Sequence, residues 1–264
     1  RHFPHSIHDS TKQVSVIVPI YNAVDDVVAC LSRLISYTTK PARLILIDDA
    51  STDPKISEIL SRCALFTNVQ VFRNERNLGY TKTINVGIGH AGTDDVVLLN
   101  SDARVTPRWL EGLRSAVASD ARIGTATAMS DRAGAFSAPS MGNDNPLPEN
   151  CDEEGYAKAF RRNSAALFPE VTTGNGFCMY IRRKLIDEIG LFDEEAFPRG
   201  YGEENDFCMR AARRGWMHVI DDRTYVFHER SKSFGTERIE LIQQGREVVD
   251  RRYPEYAKLI SSFK

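Results

Sequence analysis

The chain has 264 residues, of which 42% are apolar and 27% charged, with a formal net charge of −2. That is the balance of a globular protein with room for one large α/β domain or two small ones. It excludes a general nucleic-acid binder, which needs a basic surface, and no apolar run approaches the roughly 18 residues of a membrane span. Cys30, Cys63, Cys151, Cys178 and Cys208 are scattered and form no C-x-x-C pair. They fit a reducing compartment rather than a disulfide framework or a zinc site. The chain opens with Arg1, so residues 1–13 read as a leader or linker within a longer polypeptide, and His2, His5 and His8 read as part of it.

The elements follow in order. Val14 to Val18 is a β-branched run closed by Pro19, a strand. Asp25 to Tyr37 carries Val27, Val28, Leu31, Leu34 and Ile35 at helical spacing. Leu44 to Ile47 is the second strand; Asp48-Asp49-Ala50-Ser51-Thr52-Asp53, rich in capping residues, leads into a helix ending near Ser61. Val69 to Phe72 is a third strand, Tyr80 to His90 a helix and Asp95 to Leu99 a fourth strand. A helix over Pro107 to Ala118 and a strand over Ile123 to Met129 come next. Ser130 to Val171 has many Gly, Pro, Asn and Asp residues and little periodicity, and reads as a long functional loop that orders over substrate. Beyond it lie an apolar run, Phe177 to Ile181, and a short helix, Lys184 to Ile189. Glu203-Glu204-Asn205-Asp206 opens a helix to Arg214, and two strands follow, Trp216 to Ile220 and Thr224 to His228. A last helix spans Thr236 to Arg252.

Strands alternating with helices imply βαβ units in a mostly parallel sheet, an α/β fold whose ligands sit at the carboxyl ends of the strands. Pro19-Ile20-Tyr21-Asn22, Asp48-Asp49 and Asn100-Ser101-Asp102 all fall at such ends. Each has a plain reading and a chemical one. Asp48-Asp49 caps a helix, or accepts hydrogen bonds from a base or ribose. Asp102 is a solvated strand end, or holds a divalent metal against a diphosphate leaving group. His228 is a structural strand-end histidine, or joins a carboxylate in a Mn²⁺ or Mg²⁺ shell. Glu203, Glu204 and Asp206 favour a helix dipole, or crowd together so that one acts as a general base. Neighbouring helical residues point roughly 100° apart, so Glu203 and Glu204 are expected to serve different partners. Gly87-Ile88-Gly89-His90-Ala91-Gly92 matches a dinucleotide pattern but closes a helix instead of opening one, and reads as helix-end glycines.

In sequence order, VSVIVPIYNA, DDASTD, NLGYTKTINVGI, NSDARV and GYGEENDFCMR resemble the signature segments of glycosyltransferase family 2, the inverting GT-A enzymes. The resemblance runs from about Val14 to His228. It implies a three-layer α/β/α sandwich with a mostly parallel central sheet: a nucleotide-binding half, 14–102, an acceptor half, 103–235, and a C-terminal helix and tail, 236–264. Pro19, Tyr21, Asp49, Gly79 and Ser101 would line the nucleotide pocket. Asp102 and His228 would hold Mn²⁺ or Mg²⁺. Glu204 would be the catalytic base, with Glu203, Asp206 and Gly176 supporting it or meeting the acceptor. Two departures stand out: Asn100 replaces the first acid of D-x-D, and Glu204 replaces an aspartate, so Glu203 stays a candidate for the base. The implied reaction moves a sugar from a nucleotide-diphosphate donor to a glycan or lipid-linked glycan, in bacterial surface-polysaccharide synthesis, with a rhamnosyl-type donor preferred. It would run in the cytoplasm, peripherally at the inner face of a membrane, without nucleic acid. The alternatives are a sugar-phosphate nucleotidyltransferase, whose Gly-rich basic loop is missing after the first strand, and a non-catalytic nucleotide-sugar binding module.

Overall fold

A computed structural model of the chain describes residues 13–38, 41–229 and 236–263. The leader histidines lie outside the described residues. The first half runs β1 (Val14–Ile20), α1 (Val24–Tyr37), β2 (Ala42–Asp48), α2 (Pro54–Cys63), β3 (Val69–Arg73), α3 (Tyr80–Ala91), β4 (Asp95–Leu99) and β5 (Ala103–Arg104). The second runs α4 (Trp109–Ala118), β6 (Ile123–Met129), α5 (Glu153–Asn163), β7 (Glu170–Val171), β8 (Cys178–Ile181), α6 (Arg183–Ile189), α7 (Glu203–Ala212), β9 (Met217–Tyr225), β10 (Phe227–His228), α8 (Thr236–Arg252) and α9 (Tyr256–Phe263).

The main sheet has the order β3-β2-β1-β4-β8-β6-β9-β7. β1, β2, β3 and β4 are mutually parallel, as are β6 and β9; β8 runs antiparallel between β4 and β6. Strand alternation explains the two cores. Val14, Val16, Val18 and Ile20 of β1 and Val97 and Leu99 of β4 face one side, with Leu31 and Leu34 of α1 and Trp109 and Leu113 of α4. Ile17, Val96 and Leu98 face the other, with Ile84 and Ile88 of α3, Leu185 of α6 and Phe207 of α7. Helices therefore cover both faces, the three-layer arrangement expected. Gly87 is more than a helix-end glycine: a Cβ there would lie 2.4 Å from Ile17 Cγ2, so its absence lets α3 sit directly on β1.

After β1 the chain builds β2 and β3 on one side, then crosses to β4 on the other. That reversal opens a crevice at the carboxyl ends of β1 and β4, where open α/β sheets bind ligands.

Several expectations change. Pro19 does not close β1, which runs to Ile20 beside β2; β4 pairs only as far as Ile17, and a missing N–H is tolerated at an edge. The two strands expected over Trp216 to His228 become one, β9, with an irregularity where Ala128 faces Asp221 but Met129 faces Tyr225. Asp221 Oδ1 accepts the Arg223 N–H at 3.0 Å, a turn-like contact inside a strand. His228 leaves the main sheet altogether and pairs, through β10, with Ala103 of β5. The 130–171 segment is not structureless. Asp152 caps α5 by accepting the Gly155 N–H, acids occupy its first turn and arginines its last, and Ala157, Tyr156 and Phe160 pack on Tyr225 and Phe227. Finally, α9 follows α8 after Pro254 and adds Tyr256 to a cluster with Phe197, Met209, Val249 and Tyr253.

Candidate active site

The crevice walls are set by loop hydrogen bonds. Asp48, at the end of β2, accepts the Ser51 N–H at 2.8 Å and pairs with Arg73. Asp49, 4% exposed, accepts from Asn74 Nδ2 and Leu78 N at 2.8 Å on one oxygen and from Gly79 N at 3.0 Å on the other. It thereby builds the wall, and the lone pair left on Oδ2 is what it has to offer a ligand. Gly79 has φ +85, and a Cβ there would stand 2.4 Å from the Pro198 carbonyl oxygen, so only glycine starts α3 this way. Asn22 Oδ1 accepts from Thr52 N and Asp53 N, tying the end of β1 to the start of α2. Pro19, Tyr21 and Ser101 lie at the β1 and β4 ends of the same crevice, with Tyr21 exposed and Pro19 and Ser101 half-buried.

Asp102 and His228 meet. The turn after β4 is closed by Ala103 N–H to Asn100 O at 3.1 Å, and the β5–β10 ladder carries His228 onto it. His228 Nε2 lies 3.1 Å from Asp102 Oδ1. Its Nδ1 lies 3.0 Å from the Arg132 carbonyl, its N–H donates to Asp131 Oδ1 at 2.8 Å, and its ring stacks on Phe177. A carbonyl oxygen only accepts, so Nδ1 carries a proton and Nε2 is the nitrogen turned to Asp102. An imidazole nitrogen and a carboxylate oxygen 3.1 Å apart share a proton or a cation. The residues fit a cation: the separation matches an octahedral edge for metal–ligand bonds of about 2.1 Å, and the carbonyl contact is the outer support a ligating histidine uses. Among the described residues no group of three or more His, Cys, Asp or Glu is placed to hold a metal. Further oxygens must come from substrate and water.

Asn100 Nδ2 donates towards His228 Nε2 at 3.4 Å, so the amide fills the place of the missing acid. Tyr80 Oη lies 3.3 Å from Asn100 Oδ1 and 3.4 Å from the Gly176 carbonyl, its proton serving one or the other. A Cβ on Gly176 would come within 3.0 Å of that hydroxyl, so the glycine makes room for it. Burial, then Glu203, Glu204 and Asp102, push the Tyr80 phenol well above its ordinary range. One hydroxyl thus senses Asp102 as well as Glu203 and Glu204. Sequence reasoning passed over Tyr80 as the first residue of a helix; the available signal was an aromatic with a polar tip just after the Asp49-bound glycine. It also passed over Asp26 in the first turn of α1, whose carboxyl is raised by burial, Asp102 and Glu229.

The acid cluster resolves into distinct roles. Asp206, 1% exposed, is taken by Arg210, Arg252 and Tyr253, each at 2.8 Å, and pins α8 to α7, a support role. Glu203, 4% exposed, accepts the Gly202 N–H at 3.1 Å. Burial, then the charge and hydrogen bond of Glu204, hold its carboxyl well above the ordinary range. Glu204 is half-buried, and its Oε2 is buried with no hydrogen-bond donor.

Residues 15–190 match the family model of glycosyl transferase family 2. The chain belongs to that family. GlyG, a glycosyltransferase of Streptococcus pneumoniae, is 27% identical over 233 residues, 83% of this chain and 72% of the relative. An N-acetylglucosaminyl-diphospho-decaprenol L-rhamnosyltransferase of Mycobacterium tuberculosis is 26% identical over 248 residues, 85% of this chain and 78% of the relative. An uncharacterized glycosyltransferase of Haemophilus influenzae is 31% identical over 98 residues, 37% of this chain; the match spans 30% of that relative's length. Among solved structures, GalNAc-T7 with UDP, GalNAc and Mn²⁺ superposes with a TM-score of 0.68 at 17% identity, over 95% of this chain and 52% of that one. The mannosyltransferase PcManGT of Pyrobaculum calidifontis, with GDP-Man and Mn²⁺, gives 0.64 at 18% identity, over 90% and 64%. These likenesses show the GT-A fold for this family 2 chain. The family match ends before α7 and β10, so Glu204 and His228 stand on geometry.

Proposed function

We propose that the chain transfers a sugar from a nucleotide-diphosphate donor to an acceptor hydroxyl with inversion, using a divalent cation and Glu204 as base. The observation that carries this reading is the Asp102–His228 pair at 3.1 Å, an imidazole nitrogen beside a carboxylate oxygen, in the switch-point crevice. Asp102 and His228 would hold Mn²⁺ or Mg²⁺, which when bound neutralises charge on the departing diphosphate. Asp49, Gly79, Pro19, Tyr21 and Ser101 line the nucleotide side. Glu204, on the other side of Tyr80, accepts the proton of the acceptor hydroxyl, and its donor-free Oε2 supports that role. The oxygen attacks the anomeric carbon from the face opposite the diphosphate, so one displacement inverts it. The Mn²⁺ complexes of the two structural neighbours support the cation. The M. tuberculosis relative supports a deoxysugar donor and a lipid-diphosphate-linked acceptor, hence surface-polysaccharide synthesis at the cytoplasmic face of a membrane. Among the described residues no helix is long and apolar enough to cross a membrane.

A panel of nucleotide sugars with Mn²⁺, read by thermal shift and then by released nucleoside diphosphate, tests the proposal. One donor should raise the unfolding midpoint and release its diphosphate in the presence of acceptor. A donor that binds but is never turned over would make the chain a binding module; release of pyrophosphate from a nucleoside triphosphate would make it a nucleotidyltransferase.

A further inference from the structure

We infer that α8 is part of the site and that Gly245 is a positioning residue: the bare backbone of the helix bears on the Tyr201–Gly202 peptide and fixes where the first turn of α7, with Glu204, stands. The catalytic half of this inference rests on the proposed role of Glu204; the contact between helix and loop does not.

The segment that leads into α7 is conformationally costly. Gly200, Tyr201 and Gly202 have φ of +90, +65 and +141, three positive values in succession. A tyrosine enters that region only where its surroundings impose it. Two contacts do so. A Cβ on Gly202 would lie 2.6 Å from the Phe197 ring, which is buried in a cluster with Met209 of α7 and Val249 of α8. A Cβ on Gly245 would stand 1.7 Å from the Tyr201 carbonyl oxygen and 2.9 Å from its carbon. Gly245 sits near the middle of α8, where glycine costs helix stability relative to alanine and caps nothing. The close approach accounts for it, since any side chain there would drive helix and loop apart.

The contact reaches the acid cluster through one rigid unit. The Tyr201 carbonyl and the Gly202 N–H belong to the same planar peptide. That N–H donates to Glu203 Oε2 at 3.1 Å, and the Gly202 carbonyl accepts the Asp206 N–H at 2.9 Å, closing the turn that carries Glu204. Displacing the Tyr201 oxygen turns the peptide and releases that turn. The end of α8 holds the same turn, where Arg252 and the following Tyr253 each bond Asp206 at 2.8 Å.

Gly245→Ala tests the inference, with Val249→Ala beside it. Val249 lies one turn along the same face and is fully buried, so trimming it loosens α8 without adding bulk. Gly124→Ala is the control: a Cβ there meets Leu185 at 2.7 Å, at the amino end of β6 and away from the crevice. The first reading needs no substrate. In Gly245→Ala, amide hydrogen exchange over residues 202–206 should quicken by about 10-fold more than over β4, with a smaller excess in Val249→Ala and none in Gly124→Ala. The second uses the donor identified by the panel. In Gly245→Ala kcat should fall about 10- to 100-fold with donor Kd unchanged, the cost of a misplaced group, and by less in Val249→Ala. Gly124→Ala should keep the wild-type kcat. Should Gly245→Ala fail to fold, Val249→Ala carries both readings. No excess exchange over 202–206, an unchanged kcat, weakened donor binding, or an equal loss in Gly124→Ala overturns the inference. If exchange responds as expected but wild type transfers no sugar, the grip of α8 on α7 stands and the transferase reading falls.

Discussion

His228 Nε2 stands 3.1 Å from Asp102 Oδ1 because a two-residue ladder, β5 with β10, folds the end of the second half back onto the turn after β4. The pair offers a cation one imidazole nitrogen and one carboxylate oxygen, with Asn100 contributing only an amide. Removing either ligand should therefore disable a metal-dependent step. His228→Ala and Asp102→Ala are each expected to lower kcat/KM by roughly 100-fold or more, about 3 kcal/mol of lost charge stabilisation. Mn²⁺ binding in the presence of nucleoside diphosphate, followed by the electron-spin signal of free Mn²⁺, should weaken in parallel. Full activity of metal-free wild type in excess EDTA would remove the cation from the mechanism.

Glu204→Gln separates chemistry from binding. Asp49 and Gly79 belong to the wall proposed to hold the nucleotide, whereas Glu204 lies in the first turn of α7. Glutamine preserves shape and hydrogen bonding but cannot take a proton. Turnover should fall on the order of 10²- to 10⁴-fold while donor affinity stays nearly constant. A variant with unchanged turnover would return the base role to another group.

Much of this arrangement was legible in the chain itself, and the reason is local. β1 to β4 are short, β-branched and bounded by turn residues, and α1 and α4 have full apolar stripes, so period alone identifies them. Their order locates the crevice. What stayed hidden depends on tertiary contact. α5 buries only Ala157 fully, with Tyr156 and Phe160 beside it, too sparse a stripe to separate from loop. Asp221-Asp222-Arg223 reads as a turn because a bulge uses the same residue types. The contact between Asp102 and His228 came only with the family resemblance, since two residues so distant in sequence share no pattern. The contacts of Tyr80 needed side-chain positions.

The latch on α5 gives a stability prediction. Glu153 pairs with Arg104 at 2.7 Å and Arg33 at 3.4 Å, and Glu154 pairs with Arg33 at 2.9 Å. Arg104 also reaches Glu229, the neighbour of His228, at 3.2 Å. Partly exposed pairs contribute little singly, but Glu153 joins two arginines from different elements. Glu153→Ala should lower stability by about 1 kcal/mol, a midpoint shift of about 2–4 °C. Raising the salt concentration should shrink the difference between the variant and wild type. Limited proteolysis should find α5 protected with or without donor in wild type and cut more readily in the variant. Equal protection in both would mean that the aromatic contacts to Tyr225 and Phe227 hold the helix alone.

His218 supplies a pH dependence independent of the active site. The ring is buried between β6 and α7, with Nδ1 2.8 Å from Thr125 Oγ1 and Nε2 3.0 Å from the Cys208 carbonyl. The carbonyl requires a proton on Nε2, and the threonine hydroxyl then donates to Nδ1, so the neutral ring is fully satisfied. Burial pushes its pKa down to about 4. In the unfolded chain a histidine titrates near 6.5, so between those values the unfolded state binds the extra proton. The sign follows: this contribution is complete above pH 6.5 or so and is lost as pH falls towards 4, to a total of about 3 kcal/mol. His218→Gln can donate to Cys208 and accept from Thr125 without titrating. Its stability at neutral pH should be equal to or below that of wild type because the shape differs. Between about pH 6.5 and pH 4, however, its denaturant midpoint should fall less steeply than that of wild type. Parallel slopes for the two proteins would show that His218 is protonated in the folded state and that carboxylates alone set the acid limit.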